Sequence, residues 1–463
     1  MPQPRKQRVA VHWRILIGLA LGVALGAVLN VAGPPLVEAA GEGAGRAAVD
    51  FLVSLNAFVG DLFLQALRFI AVPIVLFSLV GGAASLNDLT KLSRIGTKTM
   101  VIYLMTTAVA ISSGLAIANL VQPGGFVPAA MRDTLAKGST AAVADRIEAA
   151  VAKDLWQTFL DMVPANPFAA LAEGNMLQVV VSALLIGIAL TLIPEAKAAP
   201  IIRLCEGMTS VIIKLVEIIM LIAPYAVFAL VVRVVAQLGF DVLGALIVYS
   251  LVVMGGLLLM VLGVYPLALR LFARVGMRRF FRAIAPAQLL AFSSSSSLAT
   301  LPVTMECVEH RLGASDDVAS FVLPVGATIN MDGTALYQGV AATFIAQLYG
   351  MDLSIPQQLT IVFTATLASI GTAAVPGLGL IMLVIVLQSV GMPTSAMTGG
   401  IAIIFGVDRV LDMCRTACNV TGDCMVATVV AVSEGELAAE TEVRQRLARR
   451  AEAGLDEHPL ASS

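Results

Sequence analysis

Long apolar segments are the feature that most restricts how this chain can fold. Ile15–Gly33, Leu177–Ile193 and Leu243–Leu269 each approach or exceed the roughly 20 apolar residues that a helix needs to cross a bilayer. Of the 463 residues, 58% are hydrophobic and 13% are charged, against about 25% charged in soluble domains. The sequence therefore predicts an all-α polytopic membrane protein.

Positive charge is clustered between these segments and predicts the orientation. The basic segments are the amino-terminal arm, Lys91–Lys98, Arg270–Arg282 and Arg444–Arg450. Short basic loops remain cytoplasmic, so we expect both termini in the cytoplasm and no nucleic acid partner. The conventional spans are expected near residues 13–33, 51–84, 98–121, 175–194, 201–236 and 242–269.

Two later apolar segments are too interrupted to be ordinary spans. Ala287–His310 and Ile361–Val390 each have two apolar arms around a small, polar tip that ends in proline. Irregular backbone at membrane depth is tolerated only inside protein or beside a cavity, and paired interrupted segments indicate a transporter binding site. The run Ser293–Ser297 is therefore predicted to be the tip of a re-entrant hairpin facing a polar site.

The strongest chemical signal lies in the apolar segment Gly406–Val432, which contains Asp408, Arg409 and a polar stripe. Charges at the centre of a membrane cost about 2.5–3.5 kcal/mol each. At helical spacing the stripe occupies an arc of roughly 100°; its members are Asp412, Arg415, Thr416, Asn419 and Asp423. Asp412 and Arg415 could simply neutralise each other, but that does not explain the other three. A guanidinium for a carboxylate and a carboxylate for an ammonium group fit an acidic amino acid.

Other groups are weaker signals. Gly326, Asn330 and Gly333 predict an unwound turn beside Asp332, with carbonyl oxygens suited to Na⁺. The hydroxyl cluster in Tyr103–Ala108 alone is expected to bond to its own backbone. The five cysteines show no metal-binding spacing and are expected to be packing residues.

These segments resemble the sodium:dicarboxylate symporter family, which includes glutamate and neutral amino-acid transporters. The similar segments are SSS…ATLPVTM, GATINMDGTALY, ASIGTAAVPGLG and DRVLDMCRTACNVTGD, in the same order and spacing. The resemblance extends from Trp13 to about Glu434, and the motif Asn330–Thr334 is its most specific part.

The resemblance implies eight transmembrane helices and two re-entrant hairpins in a homotrimer within membrane lipid, in a bacterial inner membrane. A mobile core would move like an elevator against a fixed scaffold, with the second hairpin as gate. The implied parts are a cytoplasmic arm 1–12, a scaffold 13–97 and 154–240, a core 98–122 and 241–435 with hairpins near 285–312 and 356–391, and a cytoplasmic tail 436–463.

The resemblance also implies the ligands, an acidic amino acid and co-transported Na⁺, without an organic cofactor. The implied substrate residues are Ser295, Ser296, Ser297, Thr334, Val375, Gly379, Asp412, Arg415, Thr416 and Asn419. One implied Na⁺ site consists of Gly326, Asn330, Asn419 and Asp423. A second consists of Thr328, Met331, Ser369, Ile370 and Thr372. A third consists of Tyr103, Thr106, Thr107, Asn330 and Asp332.

Four departures from the family pattern concern selectivity and gating. Gln338 replaces the glutamate of potassium-countertransporting animal members, so we expect no K⁺ counter-transport. Ser295 and Met413 occupy the two positions at which a supporting arginine is often found. Leu298 replaces a serine of the first tip, and Ala374 replaces a glycine of the gate.

Several alternatives to a Na⁺-coupled acidic amino-acid symporter stay open. Proton coupling is one. A neutral amino-acid carrier would leave Arg415 unpaired, and a C4-dicarboxylate carrier would leave Asp412 without an ammonium partner. A passive anion channel is the rival from another class. A serine hydrolase is disfavoured, because the nearest histidine, His310, lies beyond the second hairpin arm.

Overall fold

A computed structural model describes residues 11–39, 44–85, 93–127, 160, 163–238, 241–369, 378–443 and 445. These residues form helices joined by short turns, with one isolated β-bridge between Ala314 and Leu437. The helices are α1 (Val11–Ala39), α2 (Ala44–Ser85), α3 (Ser93–Val121), α4 (Pro167–Glu173), α5 (Met176–Leu192), α6 (Glu195–Leu238), α7 (Asp241–Leu259), α8 (Met277–Ser294), α9 (Ser297–Glu306), α10 (Asp316–Ile329), α11 (Asp332–Leu348), α12 (Ile355–Ser369), α13 (Leu378–Ser389) and α14 (Thr394–Glu434).

The six expected spans coincide with helices α1, α2, α3, α5, α6 and α7. Helix α7 continues through two π turns to Ala273. By length and composition, Arg94–Phe126 and Leu243–Ala273 could each cross a membrane, as could Glu195–Val216 with Leu221–Arg233, a pair bent by 53°. Pro224, which removes a backbone donor, lies in the second part of that pair.

The first packing group consists of α1, α2, α5 and α6. Glycines on one face of α1 allow α6 to approach closely. A Cβ atom on Gly22 would lie 2.9 Å from the Phe228 carbonyl oxygen, and one on Gly26 would lie 2.8 Å from the Cβ atom of Val235. Small residues allow this kind of close helix packing where lipid removes the hydrophobic driving force.

The second packing group surrounds α11 and α14, which contact each other and α7. Helix α3 packs along α11, and helices α8 and α10 pack along α14. Nearly every residue of α11 is buried. This burial places the polar residues of α11 and α14 in the interior of the second group.

The first interrupted segment is a helical hairpin, as expected. Helices α8 and α9 pack against each other, and Ser295 and Ser296 separate them. Ser295 has a left-handed backbone with a φ of 53°, and the side chain of Ser296 caps α9 by accepting a hydrogen bond from the Ala299 amide. The second interrupted segment also has two contacting arms, α12 and α13, and its tip lies outside the described residues.

The residues that directly follow α14 pack against the turn between α9 and α10. The Ala438 amide donates to the Gly313 carbonyl at 2.8 Å, and the Ser315 amide donates to the Glu436 carbonyl at 3.1 Å. Val443 is buried against this turn. The first described residues of the predicted tail therefore cover the base of the first hairpin.

Candidate functional site

The polar stripe of α14 lies in the interior. Asp412, Arg415, Thr416, Asn419 and Asp423 are all buried, as the helical spacing predicted, and Arg415 is fully buried. The stripe is long enough to contact two different clusters of α11. One cluster surrounds the Arg415 guanidinium, and the other surrounds the break between α10 and α11.

The Arg415 guanidinium is held on three sides. Its Nη1 donates to Asp408 Oδ1 at 3.1 Å, and its Nη2 donates to Asp412 Oδ1 at 2.7 Å. The Tyr337 ring stacks against it, with 3.8 Å between the guanidinium carbon and the ring centroid. Its Nε has no acceptor among the described residues. One buried donor is therefore free for a ligand.

Gly379, at the start of α13, lies against the same guanidinium. A Cβ atom at this position would lie 3.1 Å from Arg415 Nη2. The second arm of the second hairpin therefore reaches the arginine, and Gly379 is one of the residues that the resemblance implied for the substrate site. Val375, which the resemblance implied beside Gly379 in the substrate site, lies outside the described residues.

The serine tip combines bonded and unbonded hydroxyls. Ser294 Oγ accepts from the Ser296 amide at 3.2 Å, so part of the run stabilises its own turn. Ser295 Oγ is buried and has no hydrogen-bond partner among the described residues. Ser297 is also buried, in the first turn of α9. An unsatisfied buried hydroxyl is costly, so Ser295 is the tip residue whose hydroxyl most needs a polar partner.

The predicted unwound turn is confirmed between α10 and α11. Asn330 and Met331 leave helical geometry, with ψ angles of 87° and 57°. Asn330 Nδ2 donates to Asp423 Oδ1 at 3.0 Å, which connects the turn to α14. Gly333 N donates to Asn419 Oδ1 at 2.7 Å, and Asn419 Nδ2 donates to Thr334 Oγ1 at 3.4 Å.

Asp332 is the centre of a hydroxyl cluster. Thr107 Oγ1 donates to its Oδ1 at 2.8 Å and Tyr265 Oη to its Oδ2 at 2.9 Å. Thr106 Oγ1 lies 3.3 Å from both Asp332 Oδ1 and Asn330 Oδ1. The residues expected for the third Na⁺ site thus come together, except that Tyr103 Oη donates to the Val322 carbonyl at 2.9 Å instead.

The first expected Na⁺ set is also compact. A Cβ atom on Gly326 would collide with Tyr103 Oη and lie 2.6 Å from Asp423 Oδ1. Only glycine therefore leaves the Gly326 backbone in contact with this carboxylate.

The second expected Na⁺ set is less complete among the described residues. Thr328 and Ser369 donate to carbonyls of their own helices, and Met331 is buried. Ile370 and Thr372 lie outside the described residues.

Sequence reasoning missed three contributors to the site. Asp408 was noted without a role, although it lies seven residues, about two helical turns, before Arg415. Tyr337 lies in the quoted motif segment, and only the structure shows that its ring faces the guanidinium. Tyr265 lies far from the motifs and carries no local signal. Arg409 Nη1 also lies 3.4 Å from the Asp412 carboxylate, farther away than Arg415 Nη2 at 2.7 Å.

The chemistry of the described residues is suited to small ions and polar ligands. No group of three His, Cys, Asp or Glu side chains that could hold a metal ion occurs among them. Four of the five cysteines are buried and Cys414 is partly buried, in agreement with the expected packing role. Carbonyl, amide and hydroxyl oxygens with single carboxylates are hard ligands, which favour alkali cations over transition metals.

Comparison with known proteins identifies the class. Residues 11–433 match the Sodium:dicarboxylate symporter family. The chain is 34% identical over 430 residues to the proton/sodium-glutamate symport protein of Bacillus caldotenax, covering 93% of this chain and 96% of that relative. It is 35% identical over 425 residues to the proton/glutamate-aspartate symporter of Escherichia coli, covering 92% and 93%. It is 36% identical over 447 residues to the neutral amino acid transporter B(0) of Oryctolagus cuniculus, covering 89% and 78%.

The chain therefore belongs to the Sodium:dicarboxylate symporter family. It is a membrane transporter and not an enzyme, which confirms the class predicted from the motif segments.

Proposed function

We propose that this protein is a secondary active symporter that imports acidic amino acids, L-aspartate and/or L-glutamate, together with Na⁺ and without K⁺ counter-transport. The observation that carries the proposal is the fully buried Arg415 guanidinium with an unsatisfied Nε. Two of the three relatives described above are named for glutamate or aspartate transport.

The charge distribution around Arg415 favours an acidic side chain. The substrate's side-chain carboxylate would accept from Arg415, and its ammonium group would donate to Asp412. The substrate carboxylate would thus replace Asp412 as an acceptor for Arg415. The substrate ammonium group would replace Arg415 as a donor to Asp412. A neutral side chain would leave a buried guanidinium donor unpaired, and such a donor costs about 1–3 kcal/mol.

The other expected residues would complete the substrate site. Asn419 would also bind the ammonium group, and Thr334 would bind the side-chain carboxylate. The tip Ser295–Ser297 would hold the main-chain carboxylate, with Thr416, Val375 and Gly379 closing the site. The unpaired Ser295 hydroxyl supports this role, because it is a buried donor without a protein partner among the described residues.

Na⁺ ions are proposed to bind around the break between α10 and α11. Asp423, Asn330 and the Gly326 carbonyl would hold one ion, with Asn419. The Asp332 cluster would hold another, with hydroxyls of Thr106 and Thr107. The second expected set, Thr328, Met331, Ser369, Ile370 and Thr372, would hold the remaining ion. Because Asn330 and Asn419 connect these groups to the substrate residues, ion binding would organise the substrate site.

Gln338 supports the absence of K⁺ counter-transport. The side chain is buried within α11, one residue after Tyr337, and its Oε1 has no hydrogen-bond partner among the described residues. A neutral amide cannot release a proton or balance the charge of a cation as a glutamate can.

Two packing groups support an elevator mechanism in a homotrimer. The scaffold would be residues 13–97 and 154–240, and the core residues 98–122 and 241–435, in a bacterial inner membrane with cytoplasmic termini. Most extensive helix contacts occur within one group or the other. A unit with its own interior can move as a body.

Proton coupling is the second candidate, because two of these relatives carry "proton" in their names. Asp332 and Asp423 are buried, and neither forms an ion pair with a cationic side chain among the described residues. Either charge could be balanced by Na⁺ or removed by a proton.

The decisive experiment is uptake of radiolabelled L-aspartate into proteoliposomes with an inward Na⁺ gradient and no internal K⁺. L-Serine and succinate serve as competitors. Na⁺-driven uptake that neither blocks is the expected result. Competition by serine would indicate a neutral amino-acid carrier, and uptake that follows a pH gradient without Na⁺ would replace Na⁺ by protons.

A further inference from the structure

The region between α7 and α9 contains positive charge without negative charge. From residue 242 to residue 305 the sequence has no aspartate or glutamate, and all of its five basic residues are arginines. They lie between Arg270 and Arg282. We call Arg270, Arg274, Arg278 and Arg282 the arginine belt. The fifth, Arg279, has a structural role, because its Nη2 donates to the Leu312 carbonyl at 2.9 Å.

The short turn between the long apolar helix and α8 brings the belt residues close together. The long apolar helix ends at Ala273, and α8 begins at Met277 after a turn of three residues. Arg274 ends the first helix in a left-handed conformation with a φ of 52°, which glycine adopts more easily. Arg278 and Arg282 follow at a spacing of four residues, so they share one face of α8.

All four belt side chains are exposed and have no acidic partner among the described residues. Some other cations of the described chain do have one. Arg94 and Lys98 pair with Glu434, and Arg233 pairs with Asp61 at 3.2 Å. The belt is therefore an uncompensated positive surface.

Exposed apolar side chains adjoin the belt. Leu271 and Phe272 are 63% and 67% exposed at the end of the apolar helix, and Met277 is 44% exposed at the start of α8. In a membrane protein such side chains contact acyl chains. The belt thus adjoins an exposed apolar surface, an arrangement typical of basic residues where the hydrocarbon region meets the headgroups.

We propose that the arginine belt binds the phosphate groups of anionic phospholipids. A guanidinium presents a planar pair of donors that matches phosphate oxygens, whereas lysine offers a point charge. Clusters of basic residues beside a membrane helix attract anionic lipids. Because Arg278 and Arg282 lie on the first arm of the first hairpin, the lipid would hold the base of that hairpin at the membrane surface.

The test measures lipid binding by the purified full-length protein. R278Q/R282Q removes two belt charges, and K197Q/R203Q removes two exposed charges from α6, where Glu195 and Glu206 are neighbours. Native mass spectrometry would count bound phosphatidylglycerol during a titration in neutral detergent. Thermal unfolding in the same titration would report stabilisation, and circular dichroism would check that both variants fold.

We expect R278Q/R282Q to bind phosphatidylglycerol about thirtyfold more weakly, since each basic residue near an anionic surface contributes a factor of about five. K197Q/R203Q should bind like the wild type. Equal binding by all three proteins would overturn the proposal. So would the same stabilisation by inorganic phosphate, because the belt would then be a general anion site. The number of bound lipids is measured without any uptake assay, so a wrong substrate assignment does not affect this test.

Discussion

Arginine or lysine side chains pair with carboxylates both in the middle and at the carboxyl end of α14, but the two regions differ in how far water reaches the cations. In the middle, Arg415 is fully buried between Asp408 and Asp412. At the end, Glu434, whose side chain is 3% exposed, pairs with Arg94 and Lys98 of α3. The side chains of these two cations are 74% and 36% exposed, so water reaches the cationic side of the pairs. Breaking a buried pair leaves an uncompensated charge, whereas water and salt compensate an exposed one.

The two regions also differ in which parts of the chain they connect. The buried pairs lie within one helix, so they hold no two elements together, and their partners can be exchanged for a ligand's charges. The exposed pairs join α3 to α14 across more than 300 residues of sequence. The buried charges are therefore suited to binding, and the exposed charges to fastening the core. The following changes test that division.

The largest effect is expected for Arg415→Gln. Removing the guanidinium takes the cationic partner from the buried Asp408 carboxylate and the nearer of two arginines from Asp412. Breaking a buried pair in this way costs roughly 3–5 kcal/mol. We expect loss of aspartate uptake and a lower melting temperature in detergent. Arg233→Gln is the control, because its exposed pair with Asp61 contributes at most about 1 kcal/mol.

Arg415→Lys separates binding from folding. It retains the positive charge but loses the planar pair of donors. The protein should stay folded and bind aspartate more weakly in isothermal titration calorimetry. Unchanged affinity would remove Arg415 from the substrate site.

The next effect is expected for Gly326→Ala. The new methyl group would meet Tyr103 Oη and Asp423 Oδ1, and overpacking of a filled interior costs about 1–3 kcal/mol. We expect a weaker Na⁺ dependence of aspartate binding. Gly207→Ala in α6 is the matched control, because a Cβ atom there meets nothing within 4 Å. An identical Na⁺ titration for the two variants would contradict the ion assignment.

A smaller effect is expected for Gly313→Ala at the carboxyl-end region. Gly313 and Gly350 both have positive φ angles, 92° and 67°, so alanine strains either by about 1–2 kcal/mol. Only at Gly313 would the methyl group also meet the segment after α14, 2.5 Å from Val443 Cγ2. Gly313→Ala should therefore lower the melting temperature more than Gly350→Ala and speed proteolysis after α14. Equal changes would mean that this segment adds no stability.

The smallest effect is expected for Glu434→Gln. Hydrogen bonds from Lys98 and then from Arg94 lower the pKa of Glu434 below its usual value. A carboxyl group with a lowered pKa in the folded state stabilises above its unfolded pKa, about 4.3, and this contribution disappears as pH falls through the folded pKa. The variant should melt slightly below the wild type at neutral pH and low salt, and the gap should close in acid. A gap that persists in acid would argue against the ion pairs.

Local patterns predicted much of the fold and of the candidate site. The apolar segments predicted helices, because a run of apolar residues has few other ways to satisfy its backbone in lipid. The serine run predicted the break after Ser294, and the glycine-rich motif predicted the unwound turn at Asn330. The spacing of Asp412, Arg415 and Asp423 predicted one buried face of a helix.

Contacts between distant parts of the chain had no such signal. Tyr265 lies 67 residues from Asp332, and nothing in its local sequence shows that its hydroxyl reaches that carboxylate. The same holds for Tyr103, whose hydroxyl bonds to Val322 and not to the expected aspartate cluster.

The sequence by itself determined the membrane class, the helices, the breaks and the residues of the α14 stripe, because these depend on hydropathy and helical periodicity over short distances. Only the tertiary structure decided which distant residues meet: the Tyr337 ring and Gly379 at Arg415, and Arg94 and Lys98 at Glu434. The physical reason is that pairing inside a protein depends on how helices pack and on how far water is excluded, and these properties are set by many residues together.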